Sequence, residues 1–159
     1  MQKNRFRSAS LALAGILIAI GGCAESPAAP AAPKFLERGP APSFDIGGTA
    51  AVVIDSRGGT VQSLSGDRIV FPAGAVSSPV LVTLTSDRKY VGVELQPHGT
   101  TFAEGHEPTL ILNGGSASRA NIVYTNDAGA VVEVLDTDVE NGQIRASLHH
   151  FSKYYAVGG

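Results

Sequence analysis

The chain has 159 residues, with 12 Lys and Arg against 14 Asp and Glu, no Trp and a single Cys. The near-neutral charge excludes the broad basic surface that nucleic-acid binding requires, and one cysteine excludes any disulfide within the chain. The length suits one modest domain with appendages. Nineteen Gly and nine Pro favour many turns over long helices, and the low aromatic content predicts a largely aliphatic core.

The first segment reads as an export signal. Lys3, Arg5 and Arg7 form a positive start, and Ala9 to Ile20 is apolar with only Ser10 interrupting. That run falls short of the ~20 residues a membrane span needs and suits the hydrophobic part of a signal peptide. Ile20-Gly21-Gly22-Cys23 then resembles the lipobox of bacterial lipoproteins. The resemblance implies a signal peptide over 1–22, cleavage after Gly22, diacylglycerol on the Cys23 thiol and a further acyl chain, such as palmitate, on its amine. Removal of Lys3, Arg5 and Arg7 leaves nine basic residues against fourteen acidic, a net charge of about −5. The expected membrane partner is therefore reached through acyl chains and not through charge. The expected location is the bacterial cell envelope, on the periplasmic side or the outer surface.

Residues 23–46 read as the lipidated Cys and an Ala/Pro-rich disordered tether. Pro27, Pro30, Pro33, Pro40 and Pro42 hold the chain extended, and little apolar surface is present to bury. Phe35 and Leu36 form the one apolar pair.

Residues 47–159 read as the folded part. Expected strands follow at Ala50 to Asp55, Thr60 to Leu64 and Arg68 to Phe71. Gly66-Asp67 supplies a turn, Pro72 stops the third strand, and Gly74 permits backbone angles closed to other residues. Val80 to Ser86 and Val91 to Gln96 alternate, the latter placing Val91, Val93 and Leu95 on one face. Thr100 to Phe102 reads as a short edge piece. Pro108 to Leu112, Ile122 to Thr125, Ala130 to Asp136, Gln143 to Leu148 and Lys153 to Val157 complete the set. Asn126-Asp127-Ala128-Gly129 and Asn141-Gly142 are the turn signals between them. Repeated short strands predict an all-β, antiparallel β-sandwich.

Within this stretch the chain resembles the ZU-five domain family, which occurs in ankyrins, netrin receptors and tight-junction scaffolds and has bacterial relatives. The residues that carry the resemblance are Gly58-Gly59-Thr60-Val61, Ile69 to Val76, Val82 to Thr85, Gln96 to Phe102, Pro108-Thr109-Leu110 and His150-Phe151-Ser152-Lys153-Tyr154. The resemblance covers roughly residues 55–157. It implies a β-sandwich used in protein assemblies, without naming a ligand. Some relatives cleave themselves at a His-Phe-Ser motif, which here falls on His150, Phe151 and Ser152. The Ser hydroxyl would attack the preceding carbonyl while the His moves the proton. The alternation Ile144, Ala146, Leu148 predicts that His150 faces the core.

Other chemistry is weakly signalled. Gly114-Gly115-Ser116-Ala117-Ser118 lacks the spacing of a hydrolase elbow. Asp136-x-Asp138-x-Glu140 imitates the start of a calcium loop, but its glycine falls one position late, so a solvated acidic hairpin is expected. His98, Glu104 and His106 have no fixed common geometry. His149 and His150, adjacent on a strand, should face opposite ways, as should Tyr154 and Tyr155. The expectation is a non-enzymatic binding or scaffold module with no cofactor and no metal, and with an envelope protein as partner. Self-processing at Phe151-Ser152 and recognition of cell-wall glycan or metal are the alternatives.

Overall fold

A computed structural model describes residues 32–39, 48–102 and 104–158. The expected signal peptide, Cys23 and most of the expected tether lie outside these residues. Eleven strands and no helix occur among those described. They are β1 (Thr49–Ile54), β2 (Gly59–Gln62), β3 (Arg68–Phe71), β4 (Val80–Ser86), β5 (Gly92–Gln96), β6 (Thr109–Asn113), β7 (Ala120–Thr125), β8 (Val131–Val134), β9 (Asp138–Glu140), β10 (Gln143–Ser147) and β11 (Lys153–Gly158).

The strands form two antiparallel sheets, ordered β1-β4-β5-β11-β7-β8 and β2-β3-β6-β10-β9. The all-β sandwich expected from the strand pattern is the fold. Alternation explains why: Val82 and Leu84, Val93 and Leu95, Ile144 and Ala146 are buried, while Leu81, Thr85, Gln96 and Ser147 between or beside them are exposed. At roughly 25 cal/mol per Å² of apolar surface removed from water, these inner faces supply the main favourable contribution to folding.

Turn chemistry fixes the register. Asn141 and Gly142 both have positive φ (51° and 73°), the two-residue reversal that joins β9 to β10 with Glu140 opposite Gln143. The Asn126-to-Gly129 turn joins β7 to β8, closed by Asn126 N–H donating to Ala130 O at 3.0 Å. Asp55 to Gly58 turns β1 into β2, and there the chain leaves one sheet for the other. Gly74, at φ 83°, makes the turn after Pro72, with its N–H donating to Ser56 O.

The core is mainly aliphatic, with one aromatic centre. Phe71, Phe102 and Phe151 meet edge to face, with ring centroids 5.1 to 6.1 Å apart. Phe71 and Phe151 are buried, and Tyr154 lies wholly in the core while Tyr155 stays half-buried.

The tether reading needs correction between residues 34 and 38. This run, here called the strap, lies between the end of β11 and residues 89–91. Leu36 N–H donates to Ala156 O and Val91 N–H donates to Leu36 O, both at 2.8 Å. Arg38 N–H donates to Lys89 O, also at 2.8 Å. Leu36 packs against the core, and Phe35 rests on Tyr90 and Tyr155 at 5.6 and 5.1 Å. The physical reason is local. Pro33 and Pro40 bracket a proline-free run whose N–H groups are free to join a sheet. Proline content averaged over the whole segment hides that run.

Arg38 completes the strap. Its guanidinium pairs with the fully buried carboxylate of Asp67. Asp67 also accepts from Ser65 Oγ (2.8 Å), Ser86 Oγ (2.6 Å) and Asn113 N–H (2.9 Å). Arg38 further donates to Asp87 O (2.8 Å) and Gly92 O (3.2 Å). Asp67 is therefore more than a turn residue. Its carboxylate is saturated by partners from the strap and both sheets, the condition under which a buried charge is tolerated.

Candidate functional site

The segment that contains His150, Phe151 and Ser152 crosses from β10 in one sheet to β11 in the other. After Leu148 the inward alternation stops. His149 is exposed, His150 is half-buried, and Phe151 takes the next core position. The expectation that His150 faces the core is thus corrected. A period of two holds only within one strand, and here the chain changes sheets.

The crossing is held by residues 100–102. Phe102 N–H donates to His149 O at 3.0 Å and Phe151 N–H donates to Thr100 O at 2.9 Å. Two further bonds flank Ser152, the first on the Phe151-Ser152 peptide and the second on the Ser152-Lys153 peptide. Gly99 N–H donates to Phe151 O at 3.3 Å, and Leu95 N–H donates to Ser152 O at 2.9 Å.

His150 has an aromatic setting. Its ring meets Tyr124 nearly edge to face at 4.9 Å, and its Nδ1 lies 3.2 Å from Tyr154 Oη. The Tyr154 hydroxyl donates to His150 O at 2.6 Å. That donation uses the phenol's one proton, so the Tyr154 oxygen is left to accept from Nδ1–H. This arrangement places a proton on Nδ1 of His150.

Beside these residues lies an open cleft of about 440 Å³, bounded by the 98–101 loop, residues 124–127 and residues 150–152. At its rim Lys153 Nζ lies 2.9 Å from Asp127 Oδ1, a hydrogen bond that holds the Asp127 carboxyl below its usual pKa. His98 Nε2 lies 3.2 Å from Glu94 Oε1. Thr125 Oγ1 is buried on the face of β7 opposite Tyr124 and has no hydrogen-bond partner among the described residues.

Burial, with smaller contributions from Glu133 and Tyr124, pushes the Tyr154 phenol well above its ordinary pKa of 10.0. Burial, then Asp87, raises Tyr155 in the same direction. A group with a raised folded pKa contributes stability that is complete below its unfolded pKa and is lost as pH climbs. The domain should therefore lose stability progressively above pH ~10. Tyr154→Phe should be less stable by about 1 kcal/mol at pH 7, through loss of the hydroxyl's hydrogen bond. It should also show a shallower alkaline decline, Tyr155 retaining part of it. Urea melts at pH 7 to 11 check both; an alkaline slope unchanged in Tyr154→Phe contradicts this assignment.

The remaining sequence candidates stay apart. His98, His106 and His149 are exposed, and His106 Nδ1 lies 3.3 Å from Ala73 O. Asp138 and Glu140 project from edge strand β9, where Glu140 pairs with Arg145 at 3.3 Å. Among the described residues no group of three or more His, Cys, Asp or Glu is placed to hold a metal ion. Sequence reasoning missed the Arg38–Asp67 pair, whose one available signal was a lone Arg beside Phe35 and Leu36.

A different feature stands at the edge of the larger sheet. Gly48 O accepts from Ser86 N–H, so the antiparallel alternation turns the backbone N–H and C=O groups of Thr49, Ala51 and Val53 away from β4. No strand among those described pairs with that side. β1 carries no charge and no proline. Val53 and Leu81 sit opposite each other on its outer face, 62% and 58% exposed.

Fold and sites together define an antiparallel β-sandwich with a β1 edge that no described strand covers and a polar cleft beside residues 150–152. Comparison with protein-family models and with curated proteins gives no match.

Proposed function

We propose that the chain is a non-enzymatic, lipid-anchored envelope protein whose sandwich takes a partner protein by strand pairing along β1. The observation that carries this reading is the edge of β1, which no strand among those described covers. Edge strands are normally protected by charge, proline or a covering segment, because they offer a template to any extended chain. Of the other edge strands, β8 carries Glu133 and β9 carries Asp138 and Glu140, while β2 is uncharged but only four residues long. The Val53–Leu81 pair beside the edge would add apolar contact to main-chain hydrogen bonds, the usual division of labour in strand addition. The assembly role is also what the resemblance to ZU-five domains implies, and the lipobox-like Ile20 to Cys23 supplies the anchor.

Ala51→Pro tests the edge selectively. The Ala51 N–H points outward, so proline there removes no bond to β4 and blocks only the free side. The full chain, purified from membranes, should retain its partner, and Ala51→Pro should lose capture at least about tenfold while stability changes by less than about 1 kcal/mol. Equal capture by the folded variant rejects the reading. The intact mass of the same preparation should carry the acyl chains on Cys23; an unmodified Cys23 removes the anchor.

Self-processing at Phe151-Ser152 is a second reading, favoured by the Gly99 N–H that meets the Phe151 carbonyl. Attack by Ser152 Oγ on that carbon would place negative charge on the oxygen Gly99 already contacts. The C–N bond would break, the Ser152 nitrogen would take the proton, and water would open the resulting ester. Its product would stay in place, since β11 pairs with β5 on one side and β7 on the other. A single uncleaved mass under denaturing conditions, for the wild type as for Ser152→Ala, excludes it.

A further inference from the structure

The side chains and backbone of β1 suit one partner in particular. Its outward N–H and C=O groups belong to Thr49, Ala51 and Val53. A second β1 laid antiparallel, with Ala51 opposite Ala51, sets Thr49 of each strand against Val53 of the other. Every outward residue of both strands is then matched, each facing pair exchanging both of its hydrogen bonds. Any other offset leaves Thr49 or Val53 without a partner within β1.

The same register matches the side chains by size. On the outer face Ala51 meets Ala51 at the twofold axis, and Val53 meets Thr49. On the core side Val52 meets Ala50. Large residues thus face small ones throughout. Like charges placed directly opposite destabilise a strand pair, and β1 has none to oppose. The first charges after it, Asp55 and Arg57, pair with each other at 2.7 Å.

The flank also exposes apolar surface that a second copy would cover. Val52, Val53 and Leu81 are exposed along the edge, and Leu64, 87% exposed, stands beside Gly48. In the twofold register the Gly48 end of one β1 lies toward Ile54 of the other, so each Leu64 is carried toward the second copy. Exposed apolar side chains gathered at one flank mark an interaction surface.

We propose that two copies of this chain join by β1-to-β1 pairing about a twofold axis at Ala51, making one continuous sheet from their two six-stranded sheets. The proposal rests on the strand-pairing reading and names a second copy as its partner. A seam one short strand long falls at the small end of interface size, under about 1,200 Å², so the dimer should be reversible and concentration-dependent. Anchoring of both copies in one membrane would raise their effective concentration.

Sedimentation of the full chain, purified from membranes in detergent, tests it. The wild type should pass from monomer to dimer as concentration rises. Ala51 is exposed, so Ala51→Lys should keep its melting temperature at low concentration. It sets like charges across the axis and should raise the dissociation constant at least about tenfold. Disulfide trapping checks the register. Ala51→Cys should cross-link under mild oxidation, because hydrogen-bonded partners have Cα atoms about 5.5 Å apart, within disulfide reach. Val53→Cys should not, since its two copies stand roughly 14 Å apart along the seam. The wild type, with Cys23 alone, is the blank. A dimer that persists in Ala51→Lys, or equal cross-linking at positions 51 and 53, overturns the proposal. A monomer at every concentration that captures a different protein, and loses it in Ala51→Pro, overturns the second copy but leaves strand pairing standing. A monomer with no such capture overturns both.

Discussion

Arg38→Ala is expected to destabilise the domain by about 3–5 kcal/mol, the range for removing one partner of a buried ion pair. The size follows from what remains. Asp67 is completely buried, and without Arg38 its charge would be held only by Ser65, Ser86 and the Asn113 N–H. The carbonyls of Asp87 and Gly92 lose donors as well. Arg38→Ala combined with Asp67→Asn should recover part of the loss, because the second substitution removes the stranded charge. Urea unfolding of the single and double variants measures both the cost and the coupling. A loss below about 1 kcal/mol for Arg38→Ala would mean that the strap contributes little to the fold.

Phe71→Ala is the second large effect, again about 3–5 kcal/mol. Phe71 ends β3 in the core and meets Phe102 and Phe151 edge to face. Truncation leaves a void between two rings fixed by different elements: Phe102 follows the 98–101 loop, and Phe151 lies in the sheet-to-sheet crossing. Neither can collapse into the gap without shifting backbone that is hydrogen-bonded at Thr100 and His149. Phe71→Leu should cost clearly less, since it keeps most of the volume. Chemical denaturation of the two variants separates cavity formation from loss of ring contacts; equal costs would place the effect in the aromatic geometry.

The legible parts of this fold are those governed by one strand at a time. The inward faces of Val82 and Leu84, Val93 and Leu95, and Ile144 and Ala146 follow from alternation alone, and Asn141-Gly142 specifies its own reversal. The illegible parts depend on two strands or two sheets. Alternation from Ile144 to Leu148 could not place His150, because the chain changes sheets between them. Asp67 reads as a turn residue until Ser86, Asn113 and Arg38 are brought around it from positions 19, 46 and 29 residues away. Asn126 and Asp127 were legible as a turn, whereas their place on a cleft with Ser152 depends on how β7 meets β11. The edge position of β1 likewise depends on sheet order, which no single strand specifies.

The strap also has a consequence for the order in which the molecule can assemble. Leu36 bonds to Ala156, and Phe35 bridges to Val157, so the first described segment closes on the last strand. β11 is the last of the described strands yet central in its sheet, between β5 and β7. Vectorial appearance of the chain, N-terminus first, therefore leaves β5, β7 and the strap without their shared neighbour until residues 153–158 arrive. Contacts of such long sequence separation close slowly, since loop entropy is lost before they form. Until then the exposed strand edges invite pairing with other chains. A stall or truncation before residue 153 thus removes the central seam of the larger sheet, where the loss of an outer strand would have spared it.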